Sequence, residues 1–263
     1  MKEKRYIEYL DAHAKIQTGT YIDRVEILKN GLKYATSRLI NDHYWNYAYN
    51  FDCSIEEVPS RINAIKEHAD SLTKSAAIYF TPDSKPIDIK DLLPYKEMEA
   101  EIWMEYDITK KTTNKNSDLD IEKINDSKPN DTFIDIFMDA YGSGSPNDPG
   151  YQGLPPEYIE SLKNCTPNND VSVGHFIGQS NGKPIAISSI YCFEEYAGLY
   201  NVGTIHSGRR KGYGQDISIS AIEYALSKNC TKIFLQTQSG SEVEDMYSKL
   251  GFKSIFEGVF YTI

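Results

Sequence analysis

The chain has 263 residues, and 38 acidic side chains against 28 basic ones leave it a net charge of −10. Hydrophobic residues at 40% and charged residues at 25% supply enough apolar material for a packed core, which excludes wholesale disorder and suits one or two domains. An acidic surface repels phosphate backbones, which weighs against nucleic acid as a partner. No run reaches the ~20 apolar residues that cross a bilayer.

Residues Met1 to Tyr21 lack an apolar core of signal-peptide type, so no membrane association and a cytoplasmic location are expected. Cys53, Cys165, Cys192 and Cys230 are widely spaced and none forms a C-x-x-C pair. The expectation is buried free thiols, not a metal knuckle or a disulfide framework, and no metal site is expected.

In chain order, a helix is predicted over Lys2 to Gln17, then strands over Tyr21 to Leu28 and Leu32 to Ile40, joined by a hairpin at Asn30-Gly31. His43, Tyr44, Trp45, Tyr47, Tyr49 and Phe51 make an aromatic-rich stretch. Ser54 with Glu57 three residues on reads as a capping box, and Ile55, Val58, Ile62, Ile65 and Ala69 fall on one helical face. A short strand (Ser75 to Phe80), a brief helix (Asp88 to Leu93) and a strand from Glu97 to Ile108 follow, the last with Ile102, Met104 and Tyr106 alternating. Between Thr109 and Asn130 the sequence turns polar and aperiodic. The domain boundary is placed there, giving domains 1–110 and 111–263.

The second half opens with a helix capped by Asp131 or Thr132, carrying Phe133, Ile136, Phe137 and Ala140. A loop from Gly142 to Pro156 leads to a helix at Glu157 to Lys163. Strands are predicted at Val171 to Gln179, Lys183 to Phe193 and Tyr196 to His206, the first two joined by an Asn181-Gly182 turn. A helix from Gln215 to Lys228 follows, its apolar face formed by Ile217, Ile219, Ala221, Ile222, Ala225 and Leu226. Then come a strand (Lys232 to Thr237), a helix (Glu242 to Leu250) ending at Gly251, and one or two strands from Lys253 to Ile263. The order defines a mixed α/β (α+β) class with a strand–loop–helix at its centre.

That strand–loop–helix carries most of the functional signal. Gly212 and Gly214 flank Tyr213 directly before the helix, with Arg209, Arg210 and Lys211 alongside. The first turn of a helix leaves N–H groups without partners, and together with the helix dipole these attract a phosphate or pyrophosphate. A cationic cluster in an otherwise acidic chain points to a small polyanion. G-x-x-x-x-G-K-[S/T] is absent and no G-x-G-x-x-G follows a strand, which disfavours nucleoside-triphosphate and dinucleotide sites.

The segment from Gly198 to Gly214 resembles the acyl-CoA-binding motif of the GNAT superfamily of N-acetyltransferases, with Arg209, Gly212 and Gly214 at the defining positions. The run Asp245 to Phe252 resembles the family's second signature. The resemblance covers residues 131 to 263 and implies a mixed, mostly antiparallel sheet flanked by helices. It implies acetyl-CoA as the acyl donor, with its pyrophosphate on the backbone of Arg210, Lys211, Gly212, Tyr213 and Gly214 and with Arg209 as a further cofactor-binding residue. The pantetheine arm would pair with Val202, Gly203, Thr204 and Ile205, an N–H of Thr204 or Ile205 serving as oxyanion donor. Tyr247 stands where the family places a general acid. Glu194, Glu195 and His206 are candidates for the base. Many members carry an Asn where this chain reads Gln238-Ser239-Gly240-Ser241, so Ser239 is the candidate replacement for its cofactor contact.

The Trp45 to Asn50 and Trp103 to Asp107 segments are similar to the first half of two-domain members, a smaller, degenerate copy of the same fold. No glycine-rich anion loop precedes Thr109, so that half is not expected to bind coenzyme A; it would cover the acceptor site or support a homodimer. Tyr141, Asp148, Tyr151 and Glu157 lie where the family receives its acceptor and would suit a cationic amine. The expected reaction is acetyl transfer to a primary amine of a small molecule or peptide by direct attack; the alternative is a non-catalytic acyl-CoA-binding sensor.

Overall fold

The computed structural model describes residues 6–28, 31–86, 97–110, 118–125, 127–142 and 154–263. The expected helix at 88–93, the polar run 111–116, and Asp148 and Tyr151 lie outside them. The chain forms two compact units. Unit 1 comprises residues 1–104, 236–244 and 254–263, and unit 2 comprises 105–235 and 245–253. The division therefore differs from a single cut at residue 110, because stretches near the C-terminus contribute to unit 1.

In unit 1, helix α1 (Ile7–Gln17) is followed by strands β1 (Arg24–Ile27), β2 (Lys33–Thr36) and β3 (Tyr47–Tyr49). β1 pairs antiparallel with β2, Ile27 facing Lys33, and β2 pairs antiparallel with β3. Gly31 between β1 and β2 has φ +79°, the left-handed conformation that a tight hairpin demands. Helix α2 (Val58–Ser71) carries the chain to β4 (Ala77–Phe80), which runs parallel to β3. Leu32, Tyr34, Ala48, Phe51, Val58, Ile62, Ile65, Ala69, Ile78 and Tyr261 pack together as a core. Ile55 does not join that face. It lies in a 3-10 turn (Ile55–Glu57) ahead of the helix, where the different pitch leaves it 55% exposed. The last strand, β11 (Phe252–Thr262), pairs antiparallel with β4 over Val259 to Thr262. Strand β5 (Glu97–Tyr106) begins in this unit, and Trp103 and Met104 are both buried.

In unit 2, β6 (Asp120–Lys123) is an edge strand that the polar composition concealed. Helix α3 (Asp131–Tyr141) is capped by Asn130, not by Asp131 or Thr132: the Asn130 side chain accepts from the Phe133 N–H at 2.9 Å. Helix α4 (Pro156–Lys163) has its proline in the first turn. Strands β7 (Ser172–Ser180), β8 (Lys183–Phe193) and β9 (Tyr196–Thr204) form an antiparallel meander. Its first turn has Asn181 at φ 51° and Gly182 at φ 72°, as a two-residue hairpin requires. Helix α5 (Tyr213–Ser227) lies against β7, β8 and β9. Ile217, Ile219, Ala221, Ile222 and Ala225 are buried, whereas Leu226 is 37% exposed at the edge of the stripe. Strand β10 (Lys232–Gln238) then runs parallel to β9. Helix α6 (Glu242–Leu250) precedes β11. Both units thus carry mostly antiparallel strands flanked by helices. No helix among the described residues is long and apolar enough to cross a membrane.

Candidate active site

The site in unit 2 begins with a failure of strand pairing. β9 and β10 keep parallel register for three pairs, ending at Phe234 with Gly198. Beyond Gly198, β9 pairs on its other edge with β8, and there the register slips between Ile187 and Ser189. Ile187 faces Gly203 and Ser189 faces Tyr200, so Asn201 and Val202 together oppose Ser188. This is a β-bulge, and Asn201 adopts φ 52° within it. The bulge bends the strand and re-aims the groups of Val202 to Thr204.

The ladder then fixes which amides face which way. The Ile205 N–H donates to the Ile185 carbonyl at 2.9 Å and is engaged. Antiparallel ladders alternate, so Gly203 and Ile205 turn toward β8 while the Thr204 N–H turns to the opposite edge. Of the two expected oxyanion donors, only Thr204 has an N–H on that edge. Gly203 is dictated by packing: a Cβ there would come within 2.8 Å of the Ala140 Cβ at the end of α3.

The anion loop follows. Arg210 has φ 63° and Gly212 φ 84°, and Gly212 is the N-cap of α5. Left-handed geometry at the cap costs a non-glycine residue roughly 1 kcal/mol or more. Here it turns the chain so that the N–H groups of residues 211 to 214 open outward. Among the described residues none of those four N–H groups meets an acceptor, whereas Gln215 and Asp216 already donate to the Gly212 carbonyl. Arg210 and Lys211 are exposed beside them. Arg209 instead braces the loop: its guanidinium donates to the carbonyls of Ala140 at 3.0 Å and Thr204 at 3.5 Å.

The Tyr213 hydroxyl donates to Asp118 at 3.0 Å, and the Ser180 hydroxyl donates to the other oxygen of that carboxylate at 2.9 Å. These bonds, with Lys211 nearby, hold the Asp118 carboxyl below its ordinary pKa. Asp118 therefore anchors the first residue of α5 to the end of β7. It is missed in the sequence because its partner is 95 positions away, in a stretch with no periodicity.

Tyr247 is buried, at 6% exposure. Its hydroxyl bonds to Ser218 one turn into α5 and lies near that of Tyr141. The Tyr141 hydroxyl donates to the Val202 carbonyl at 3.0 Å, and the Ser218 hydroxyl to the Gly214 carbonyl at 2.7 Å. Tyr247 thus lies between Ser218, which bonds to the mouth of α5, and Tyr141, which bonds to the bulge in β9. Burial, then Tyr141, push the Tyr247 pKa well above its ordinary value, so the group stays protonated.

The remaining candidates separate. Glu194 and Glu195 sit in the β8–β9 turn, where Glu195 pairs with Lys232 at 3.4 Å. At ~3.3 Å per residue the length of β9 puts them about 25 Å from the loop. His206 is at the loop end, where Asp139 of α3 accepts from its N–H at 2.8 Å and lies 3.1 Å from its Nδ1. Ser239 belongs to unit 1, where its hydroxyl donates to Glu257 and its N–H to the Ala100 carbonyl. The described residues contain no cluster of potential metal ligands.

Residues 131–252 match the model of the acetyltransferase (GNAT) family, and the chain carries a domain of that family. A GCN5-related N-acetyltransferase from Kribbella flavida shares the fold with a TM-score of 0.68 at 14% identity, over 97% of this chain and 93% of its own. A functionally unknown conserved protein from Staphylococcus epidermidis gives 0.65 at 15%, covering 95% and 100%. A tandem GNAT protein from the clavulanic acid biosynthesis pathway gives 0.62 at 10%, covering 90% and 80%. The shared fold therefore extends through both units, consistent with a two-domain GNAT form. No curated protein matches the chain.

Proposed function

We propose that the protein transfers an acetyl group from acetyl-CoA to a primary amine of a small molecule or peptide. The observation that carries this reading is the set of four N–H groups at residues 211–214 that meet no acceptor among the described residues, beside Arg210 and Lys211. A diphosphate satisfies those groups and the helix dipole together. The pantetheine arm then lies along the free edge of β9 beyond Gly198, pairing with backbone groups of Val202 to Thr204. There the Thr204 N–H donates to the thioester oxygen as negative charge builds on it.

The amine attacks the thioester carbonyl directly, aided by its alignment with the bound donor. The carbon–sulfur bond breaks as the tetrahedral species collapses, and Tyr247 donates its hydroxyl proton to the departing thiolate. Its raised pKa makes it a persistent hydrogen-bond donor whose proton moves only once the sulfur carries charge. His206 is the favoured acceptor of the amine proton among the three candidates.

Calorimetry with acetyl-CoA and with free coenzyme A, followed by a thiol-release assay across an amine panel, tests the proposal. Binding with amine-dependent thiol release is the expected result. Absence of heat with either ligand overturns the donor assignment. Binding without release for any amine makes the protein an acyl-CoA-binding module instead.

A further inference from the structure

A line of buried polar groups crosses unit 2 on the sheet face away from α5. Ser188 of β8 points toward α5, since its hydroxyl donates to the Ile217 carbonyl at 3.1 Å, so its neighbour Ser189 points to the opposite face. His175 of β7 is the register partner of Ser189. Both side chains are fully buried. The imidazole makes T-shaped contacts with Phe133 of α3 and Tyr191 of β8, at ring separations of 5.4 and 5.8 Å. Its Nε2 lies 3.0 Å from the Ser127 carbonyl oxygen, and its Nδ1 lies 2.8 Å from the Ser189 Oγ. The Asn201 Nδ2 lies 3.2 Å from that same Oγ.

The direction of each bond follows from the carbonyl at one end. A carbonyl only accepts, so Nε2 of His175 carries a proton, and Nδ1 of the neutral ring accepts. The single proton of the Ser189 hydroxyl goes to Nδ1, and its oxygen accepts from the Asn201 amide N–H. A charged ring would donate at Nδ1 too and deprive the buried Ser189 proton of that acceptor, so the geometry favours the neutral form. Asn201 is the first residue of the β9 bulge, at φ 52°, and the carbonyl of the second, Val202, is held by the Tyr141 hydroxyl.

We infer that His175, acting through Ser189 and Asn201, is a positioning residue that keeps the β9 bulge in place and thereby keeps the Thr204 N–H on the open edge of the strand. This role rests on the acyl-transfer reading above. A bulge adds one residue to one strand, and pairing alternates with a period of two. If the bulge slipped out, every later residue of β9 would shift by one, and the Thr204 N–H would turn into the ladder with β8. The tether from Asn201 to Ser189 opposes that slip.

The test compares Asn201→Gly and Ser189→Ala with the wild-type full chain. Glycine keeps the left-handed backbone without strain and deletes only the tether; alanine breaks the link in β8. Acetyl-CoA affinity by calorimetry and its KM should stay within about twofold, because residues 211–214 are untouched, while kcat for thiol release falls about tenfold. Asn229→Gly, at another left-handed asparagine (φ 62°) just after α5, should leave kcat unchanged. Nitrogen-15 NMR of the wild-type imidazoles should show His175 protonated at Nε2 and bare at Nδ1. Asn201→Gly, at a half-buried strand position, decides the matter even if Ser189→Ala does not fold. Unchanged kcat in Asn201→Gly, a parallel loss of acetyl-CoA affinity, or a protonated Nδ1 overturns the positioning role alone. A wild-type chain that releases no thiol with any amine overturns the acyl-transfer reading, and this role with it.

Discussion

In unit 1, β1, β2 and β3 pair antiparallel in sequence and α2 carries the chain to β4, parallel to β3. In unit 2, β7, β8, β9, α5 and β10 repeat that order and those directions, and each run is preceded by a helix. The two helix mouths nevertheless have opposite chemistry. At α2, the Glu57 carboxylate accepts from the Ser54 N–H at 3.0 Å, and the Glu56 carboxylate bonds to its own N–H and to Ser54. The chain's own acids occupy the place an anion would take. At α5, a left-handed glycine replaces the acids and two exposed cations stand beside open N–H groups. One crossover is therefore closed by its own acids in unit 1 and flanked by two exposed cations in unit 2, and the difference lies in a few residues at the cap.

The sharpest way to break that contrast is to give α5 the charge of α2. Arg210→Glu with Lys211→Glu places two carboxylates at the mouth while sparing Arg209, which braces the loop. Acetyl-CoA affinity measured by calorimetry should fall by about 100-fold or more, equivalent to ~2.7 kcal/mol. An unchanged affinity would show that the pyrophosphate is held elsewhere.

The next effect concerns unit 1. His13 is buried against Trp45 and Trp103, at ring separations of 5.9 and 5.8 Å, and burial lowers its pKa to about 3 from 6.5. The folded state keeps the ring neutral while the unfolded chain takes a proton below pH 6.5. Stability from this group is therefore complete above pH 6.5 and is lost as pH falls from 6.5 toward 3. The full loss is on the order of 4 kcal/mol. Both tryptophans of the chain lie in unit 1, so the signal in fluorescence-detected urea melts arises there. His13→Gln should flatten the pH dependence; an equal slope in the variant would remove His13 as its source.

Tyr247→Phe comes third. It deletes the hydroxyl while preserving the ring against Phe252. Turnover in the thiol-release assay should fall about tenfold to thirtyfold, within the range of general-acid contributions, with acetyl-CoA binding retained. Equal turnover would assign the tyrosine to packing alone.

These residues differ in how far the sequence announced them. Gly212 and the Asn181-Gly182 turn are legible because each obeys a local rule: a helix mouth and a hairpin dipeptide. The α5 stripe was legible through its period, apart from Leu226 at its margin. β3 was not, since three residues inside an aromatic stretch offer no alternation to count. β6 was hidden because an edge strand whose side chains are mostly outside the core carries no hydrophobic pattern. Asp118 and Tyr141 as partner of Val202 both depend on tertiary closure. No spacing rule reaches across such separations, and Ile205 lost its donor role to a ladder bond that only register reveals.

The smallest effect tests whether the cap of α2 is merely sealed or could be reopened. Glu57→Ala removes the acceptor of the Ser54 N–H and should destabilise unit 1 by about 1 kcal/mol, read by the same fluorescence melts, with acetyl-CoA affinity unchanged. Adding Glu56→Lys reverses the charge at that mouth, yet it supplies no left-handed residue: Ser54 keeps an extended φ of −74°. The N–H groups would still not converge outward as those of residues 211–214 do. Calorimetry on the double variant should therefore show one coenzyme site per chain, as in the wild type. A second site would mean that charge alone, without the glycine turn, makes the receptor.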